Sequence, residues 1–542
     1  MKKYFRKASF LILVFIMAIF QACKNEPPTD LTRENIIPKP VSVVATGTGF
    51  RLISTSVIFV EGGNADLMKI GNQLAAELKA VTGFAHRVEP ATGNPSDGNI
   101  YLVLGGADAK TGTEGYELII TEDLITLKAN QPAGVYMGTQ TLLQLVPLAK
   151  AKTANDRYRI ATGTIVDYPT YGWRGSMLDV ARHFFSVEDV KRYIDLISYY
   201  KMNVLHLHLS DDQGWRIEIK SWPNLALHGG RTEVGGGDGG YYTQEQYKEI
   251  VAYAQSKYIT IVPEIDLPGH INSALASYAE LNGGTKVPVE GKYKGPQTTQ
   301  GILDGKNKPT ELYTGIEVGW STLVPSKPAT FKFVNDVIRE LAAITPGPYL
   351  HIGGDEAHVT RKEDYILFIN RFSEIVKANG KKMIGWEEIG QADIDDNATL
   401  QHWSSEKYAQ EGASKGASII MSPSRRVYLD MQYDSTSRLG LHWAAYIEVD
   451  DAYNWDPAYQ VDGIERSQIL GVEAPLWSET ITNMDDIEYM LFPRLPGVAE
   501  VGWSPAAGRS WDEYKIRLAG HGPIMKAKGI DFYRSSRVPW VD

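Results

Sequence analysis

The sequence predicts an α/β protein: a (β/α)8 TIM barrel preceded by a smaller α+β domain. Three observations carry that prediction. The chain has 542 residues, more than one ordinary domain holds. From residue 168 onward, apolar runs of strand length alternate with amphipathic stretches, which is the pattern of a parallel sheet with helical crossovers. Acidic, basic and aromatic side chains recur where those runs end, and parallel α/β architectures place their chemistry at that end.

The first 23 residues read as an export leader. Lys2, Lys3, Arg6 and Lys7 form a basic start, and Phe10 to Phe20 is an apolar run too short to span a bilayer comfortably. Phe20-Gln21-Ala22-Cys23 resembles a bacterial lipobox, in which the cysteine is lipidated and becomes the mature N-terminus. Cys23 is the sole cysteine, so an internal disulfide is excluded. An accidental cysteine in a plain secretory signal is the simpler alternative. Residues 24–35, with Pro27-Pro28, read as a tether.

Residues 36–167 form the predicted α+β domain. Strand-like runs occur at 57–60 and 100–104, and 116–120 and 124–127 flank Glu122-Asp123 as a hairpin. Residues 65–82 carry Ile70, Leu74, Leu78 and Val81 on one helical stripe, and 134–145 also reads as helix. The block clusters no catalytic residue types, which makes it a supporting domain.

Residues 168–542 hold the eight barrel-strand candidates: 175–180, 204–209, 260–265, 349–353, 382–386, 399–403, 418–421 and 470–477. Helical stretches such as 187–200 and 244–255 lie between them. Gly235 to Gly240 is a glycine-rich run around Asp238, but no Lys-Ser/Thr follows it, so it is not a phosphate loop. Residues 279–330 read as a loop-rich insertion on the same face as the strand ends.

Those ends supply Asp179, Arg182 and His183, then His206, His208, Asp211, Asp212 and Gln213, then Glu264, Asp266 and His270. The fourth run enters two glycines and delivers Asp355-Glu356, with His351 and His358 nearby. Later ends give Trp386-Glu387-Glu388, Trp403, Tyr428-Leu429-Asp430 and Trp477-Ser478-Glu479. Acids, one arginine and aromatic rings at one barrel mouth describe a sugar pocket: stacking walls, hydrogen-bonding acids and a proton donor. Twelve tryptophans and 29 tyrosines suit that reading, although aromatics are also ordinary core material. A net charge of −10 leaves no basic footprint for nucleic acid.

Two rivals compete. His206-x-His208 places both imidazoles on one face of a strand, as in metal-dependent barrel hydrolases, with His270, His351 and His358 as further ligands. That reading leaves the acids and tryptophans unexplained, and strand histidines packed in a polar core account for the pair more simply. A catalytically idle glycan-binding lipoprotein explains the aromatics but not an acid pair at a strand end.

Taken in order, the motifs resemble the family 20 glycoside hydrolases, the β-N-acetylhexosaminidases. They are Gly172-Trp-Arg-Gly-x-x-x-Asp179-x-x-Arg182-His183, His206-x-His208-x-x-Asp211-Asp212-Gln213, Asp266-x-Pro268-Gly269-His270, His351-x-Gly-Gly-Asp355-Glu356 and Trp477-x-Glu479. Ile37-Pro38-Lys39-Pro40 is similar to the start of that family's N-terminal domain. The resemblance covers nearly the whole mature chain. It implies a retaining mechanism outside the usual two-carboxylate scheme, in which the substrate's 2-acetamido oxygen attacks the anomeric carbon. It implies Glu356 as general acid/base, Asp355 as the orienter of the acetamido group, and Tyr428 as a donor to the acetamido oxygen. Asp211 and His270 would tune Glu356. Trp386, Trp403 and Trp477 would wall the pocket, Arg182 would bind the 3- and 4-hydroxyls, and Asp430 and Glu479 would take the 4- and 6-hydroxyls. Tyr433, Trp443 and Tyr446 compete with Tyr428 for the pocket. No metal or organic cofactor is implied. The expected partners are a glycan with a terminal N-acetylhexosamine and a membrane reached through lipid on Cys23. A disaccharide-releasing member of the same family is the nearest alternative.

Overall fold

The computed structural model describes residues 27–62, 64–148, 153, 156–294 and 305–541. Cys23 and the leader lie outside the described residues. The first described residues are already packed. Leu31 is buried, Thr29 N–H donates to the Gly47 carbonyl, and Ile36 and Ile37 sit in the core. The tether expected at 24–35 is therefore seated on the domain from about residue 29 onward.

The N-terminal domain is a seven-stranded mixed sheet with spatial order β1-β7-β5-β6-β4-β2-β3. Its strands are β1 (Ser42–Leu52), β2 (Ile58–Glu61), β3 (Val88–Ala91), β4 (Asn99–Leu104), β5 (Tyr116–Ile120), β6 (Leu124–Ala129) and β7 (Tyr158–Asp167). Helices Ala65–Thr82 and Pro132–Leu145 pack against it. Asn64 accepts from two N–H groups at the start of the first helix and Gly83 in the left-handed region ends it, while Pro132 opens the second.

Eight parallel strands close the barrel: β8 (Trp173–Asp179), β9 (Val204–His208), β10 (Thr260–Glu264), β11 (Tyr349–His351), β12 (Lys382–Trp386), β13 (Thr399–His402), β14 (Ser418–Met421) and β15 (Ile469–Leu476). Capping boxes at Ser186/Asp189 and Thr243/Gln246 start the helices Val187–Tyr199 and Gln244–Ser256. The barrel interior is layered. Trp173, Val204, Val262, Ile384 and Ile420 form a small apolar cluster of their own. Two residues beyond Val204, Val262, Ile384 and Ile420 come His206, Glu264, Trp386 and Ser422, all buried, and buried Gln401 of β13 donates to Ser422. The period-2 alternation of strands puts the charges inside and Leu205 and Leu207 outside.

The domains are locked by buried charge. Asp167 ends β7 and accepts from Lys201 Nζ at 3.0 Å, Tyr116 Oη at 2.6 Å and Trp503 Nε1 at 2.8 Å. Asp167 and Lys201 are both fully buried. Arg174 reaches Glu114 at 2.7 Å across the same seam. Removing one member of such a pair strands its partner's charge, a cost of about 3–5 kcal/mol. The seam therefore holds the supporting domain rigidly to the end of the barrel opposite the strand termini.

Candidate active site

At the carboxyl end of the barrel a cavity of about 220 Å3 is lined by residues from many strand ends. Arg182 follows β8. Asp355 and Glu356 follow β11, and Trp403 follows β13. Tyr428, Asp430, Leu441 and Trp443 come from the β14–β15 connection, while Trp477 and Glu479 follow β15. Ile316 and Val318 reach it from the 279–330 insertion; neither was singled out from the sequence.

The turn after β11 is shaped by contact with Asp266. Gly353 has φ +66°, and a Cβ there would lie 1.8 Å from Asp266 Oδ1. Only glycine fits. The same oxygen accepts from Gly354 N at 2.9 Å. The chain then carries Glu356 at φ +44°, and His270 facing it has φ +48°. Left-handed backbone at a non-glycine residue costs on the order of 1–3 kcal/mol and collects at functional sites. Here it turns the two side chains toward each other: His270 Nε2 lies 3.5 Å from Glu356 Oε2 and 3.7 Å from Asp355 Oδ2. His270 Nδ1 meets Asp211 Oδ1 at 3.2 Å. Asp211 Oδ2 takes Arg182 Nη1 at 2.8 Å and His208 Nε2 at 2.9 Å.

The electrostatics follow from burial and this pairing. Burial pushes Asp211 up, but Arg182 and His270 outweigh it and hold the carboxyl well below the usual range. Burial opposes charge on His270 too, yet Asp211, Asp266 and Asp355 raise it well above an ordinary imidazole. Burial raises Asp355 to about 6, with Glu356 and Glu264 adding to it and His270 opposing. Glu356, less buried, is lowered: burial pushes up, and hydrogen bonding and charge from His270 win.

Arg182 is buried with its guanidinium 4.8 Å from the Trp477 ring centroid. Its Nε has no protein partner, nor have both oxygens of Asp430, Oε2 of Glu479 and Oδ1 of Asp355. Buried polar atoms are normally paired, so this set is arranged for a ligand rich in hydroxyl and amide groups. Trp403 stacks on Tyr428 with centroids 6.3 Å apart and 17° between planes. Trp443 stands edge-on to both. Glu387 fixes the Trp403 turn by accepting from the N–H groups of Trp403, Ser404 and Ser405, and Glu388 accepts from the Trp403 indole at 3.2 Å.

Two sequence expectations need correcting. Trp386 does not line this cavity. It is 1% exposed, donates to Glu264 at 3.0 Å and packs against Trp477, whose ring centroid is 5.7 Å away. It backs the wall rather than forming it. Of the three competitors, Tyr433 points away and donates to main-chain carbonyls including Phe492 O at 2.8 Å, and Tyr446 stacks on His442 outside the lining. Trp443 does line the cavity.

His206 and His208 have both ring nitrogens engaged by carboxylates. His206 lies between Glu473 at 2.8 Å and Glu264 at 3.0 Å, and His208 between Glu264 and Asp211. Both are buried and belong to a polar network inside the barrel. Sequence reading named Glu264 only as one acid among several and missed Glu473. A lone acid inside the apolar run of β15, Ile469–Leu476, was the available signal. The end of the glycine run packs on Arg216, which donates to the Gly240 carbonyl and to those of Ala181, Gly230 and Thr232.

Comparison with known proteins agrees with this geometry. The model of glycosyl hydrolase family 20, catalytic domain, matches residues 171–365 and 359–506, and that of glycosyl hydrolase family 20, domain 2, matches 33–168. A beta-N-acetylhexosaminidase of Cellulomonas fimi is 38% identical over 93% of this chain and 97% of its own length. The GH20 beta-N-acetylhexosaminidase structure from Streptomyces coelicolor A3(2) superposes with TM-score 0.87 at 45% identity, covering 95% of this chain and all of that one. The Streptomyces plicatus N-acetyl-beta-hexosaminidase in complex with Thio-NAglucal gives 0.86 at 47%, with 95% and 99% covered. The chain belongs to glycosyl hydrolase family 20.

Proposed function

We propose that this chain removes terminal β-linked N-acetylhexosamine from glycans as a retaining, substrate-assisted β-N-acetylhexosaminidase. The single observation that carries the reading is the set of partnerless buried acid oxygens and Arg182 Nε around a cavity that also holds Glu356. A pocket of about 220 Å3 is smaller than the roughly 300–1,000 Å3 of drug-sized ligand sites, which favours one sugar unit over two. Relatives support it: a mutant Streptomyces plicatus beta-hexosaminidase at 46% identity is seen in complex with product GlcNAc.

In this reading the acetamido oxygen is the nucleophile, and the barrel holds it in place. Asp430 and Glu479 take sugar hydroxyls, and Arg182 offers its planar fork to others. Trp477, Trp403 and Tyr428 enclose the acetamido arm, backed by Trp386. Tyr428 donates to the acetamido oxygen. Asp355 accepts the acetamido N–H and stabilises the positive charge that develops on the ring closing between oxygen and anomeric carbon. Glu356 protonates the departing oxygen and then takes a proton from the incoming water.

The proton Glu356 needs is close by. In the open site it rests on His270, 3.5 Å from Oε2. A sugar covering Glu356 excludes water and destabilises the separated charges, so the proton shifts from imidazolium to carboxylate. Asp211 holds the ring in position for that transfer. Asp355 does the opposite and works ionised, a state that the acetamido N–H favours.

At the N-terminus, the basic start, apolar run and Cys23 support export and lipid anchoring. Among the described residues no helix is long and apolar enough to cross a membrane. Cys23→Ser is expected to move the protein from the membrane to the soluble fraction on cell fractionation, and unchanged partition would remove the anchor.

Glu356→Gln is expected to fold normally by circular dichroism and to lose about 10²–10⁴-fold in kcat on substrates with poor leaving groups; near-normal turnover would sink the acid/base role. Because Asp355 is raised to about 6 and works ionised, kcat/KM is present above that pH and falls about tenfold per unit below it. A profile that stays level down to about pH 4 would show that Asp355 is not the group that must ionise.

A further inference from the structure

Beneath the sugar pocket lie titratable side chains that the reaction as described does not use: His206, His208, Glu264, His351 and Glu473, all at most 1% exposed. They form one connected set. Glu264 is its hub. It meets His206 Nε2 at 3.0 Å, His351 Nδ1 at 3.0 Å and Trp386 Nε1 at 3.0 Å, and it also binds His208 Nδ1. These partners come from β9, β11 and β12, the strands beside or near β10. From the hub one branch rises toward the reacting atoms. His208 Nε2 meets Asp211 Oδ2 at 2.9 Å, Asp211 Oδ1 meets His270 Nδ1 at 3.2 Å, and His270 Nε2 faces Glu356 at 3.5 Å. The other branch leads away, through His206 to Glu473, which also receives Gln401 and Trp173 at 2.9 Å.

The upward branch has a mechanical problem to solve. Asp211 lies in the turn beyond β9, outside any strand or helix, and its two oxygens must face different ways, one to His270 and one to Arg182 and His208. His208 sits on a rigid strand, but its ring can still rotate about χ2. With a carboxylate at each nitrogen His208 is held as the imidazolium, and tying Nδ1 to Glu264 fixes the ring plane and so the direction in which Nε2 meets Asp211. Glu264 is itself held from the other side by the Trp386 indole N–H, with His351 packed beside it and accepting from Gly353 N–H.

We propose that Glu264 is a positioning residue for the acid/base step: by locking His208 it aims Asp211 at His270, and so His270 at Glu356. It touches neither substrate nor reacting atoms. Glu473 shares the burial and the contact with His206 but is not on the route to Asp211. The proposal rests on Glu356 being the acid/base.

The test compares Glu264→Gln, Glu473→Gln and Glu356→Gln in the full chain on two substrates. One is a 2,4-dinitrophenyl β-N-acetylglucosaminide, whose leaving group departs without a proton; the other is the β-linked N-acetylglucosamine disaccharide, which needs one. A loss confined to acid catalysis appears on the second substrate alone. Glu264→Gln is expected to lower kcat/KM at least about tenfold on the disaccharide and less than about threefold on the dinitrophenyl glycoside, with Glu473→Gln below about threefold on both. Equal losses on the two substrates, or the same pattern in Glu473→Gln, would overturn the proposal and leave a stability role. If Glu264→Gln does not fold, His208→Gln takes its place with the same expected pattern and the same overturning result. If Glu356→Gln itself shows no leaving-group dependence, the acid/base reading falls first, and the positioning role falls with it.

Discussion

Glu264 is a carboxylate buried completely inside a barrel, and the interior is built to tolerate it. An isolated charge there would cost many kcal/mol. Three imidazoles and an indole N–H from nearby strands surround it instead, and two of these histidines, His206 and His208, are tied to further carboxylates. Barrel interiors are usually filled by branched aliphatic residues. Here one layer is apolar and the next is charged, so the interior is a rigid polar scaffold on which the strand ends are mounted. The supporting domain is held by the same device, with Lys201 and Asp167 fully buried at the seam. Both junctions exchange some stability for fixed geometry.

The scaffold delivers its rigidity to two strained residues. Glu356 and His270 both have positive φ, and the turn that carries Glu356 is clamped from behind. Asp266 grips the backbone of Gly354 and leaves no room for a side chain at Gly353. Adjacent residues on an extended chain point to opposite sides. The left-handed turn lets Asp355 and Glu356 face one pocket from different directions, which a division of labour between neighbouring carboxylates requires. The wall opposite is held by Glu387, clamped on the Trp403 turn, so the aromatic box is also fixed through main-chain contacts.

Much of this was legible in the chain because each barrel strand is a short, bounded apolar run, and its functional residue sits at the run's end. All eight runs became strands, with ends shifted by a residue or two. The supporting domain was harder. Strands β1 and β7 read as SVVATGTGFRL and YRIATGTIVD, where glycine and threonine hide the alternation, and β1 is an edge strand with little burial to pattern it. Strand β3 carries Pro90, which argues against a strand from sequence alone. In the site, Trp477 follows its strand directly, and Arg182, Asp355 and Glu356 lie within a short turn of theirs. Trp386 was misplaced because a strand-end tryptophan can face the pocket or the interior, and only its indole bond to Glu264 decides. Ile316 and Val318 enter from a long insertion whose path depends on contacts remote in sequence, such as Ser321 to Asp212 at 2.5 Å.

The nucleophile is part of the proposed substrate, and the protein groups in the pocket are arranged to hold or neutralise it. Progressive fluorination of the N-acetyl group removes electron density from the amide oxygen while barely changing its size. Measuring kcat/KM for aryl β-glucosaminides bearing N-acetyl, N-fluoroacetyl, N-difluoroacetyl and N-trifluoroacetyl groups tests the claim directly. The account predicts a steep fall along the series, with roughly tenfold or more lost at each early step as the barrier rises by at least about 1.4 kcal/mol. Rates that ignore fluorination would contradict it and return the nucleophile to a protein carboxylate.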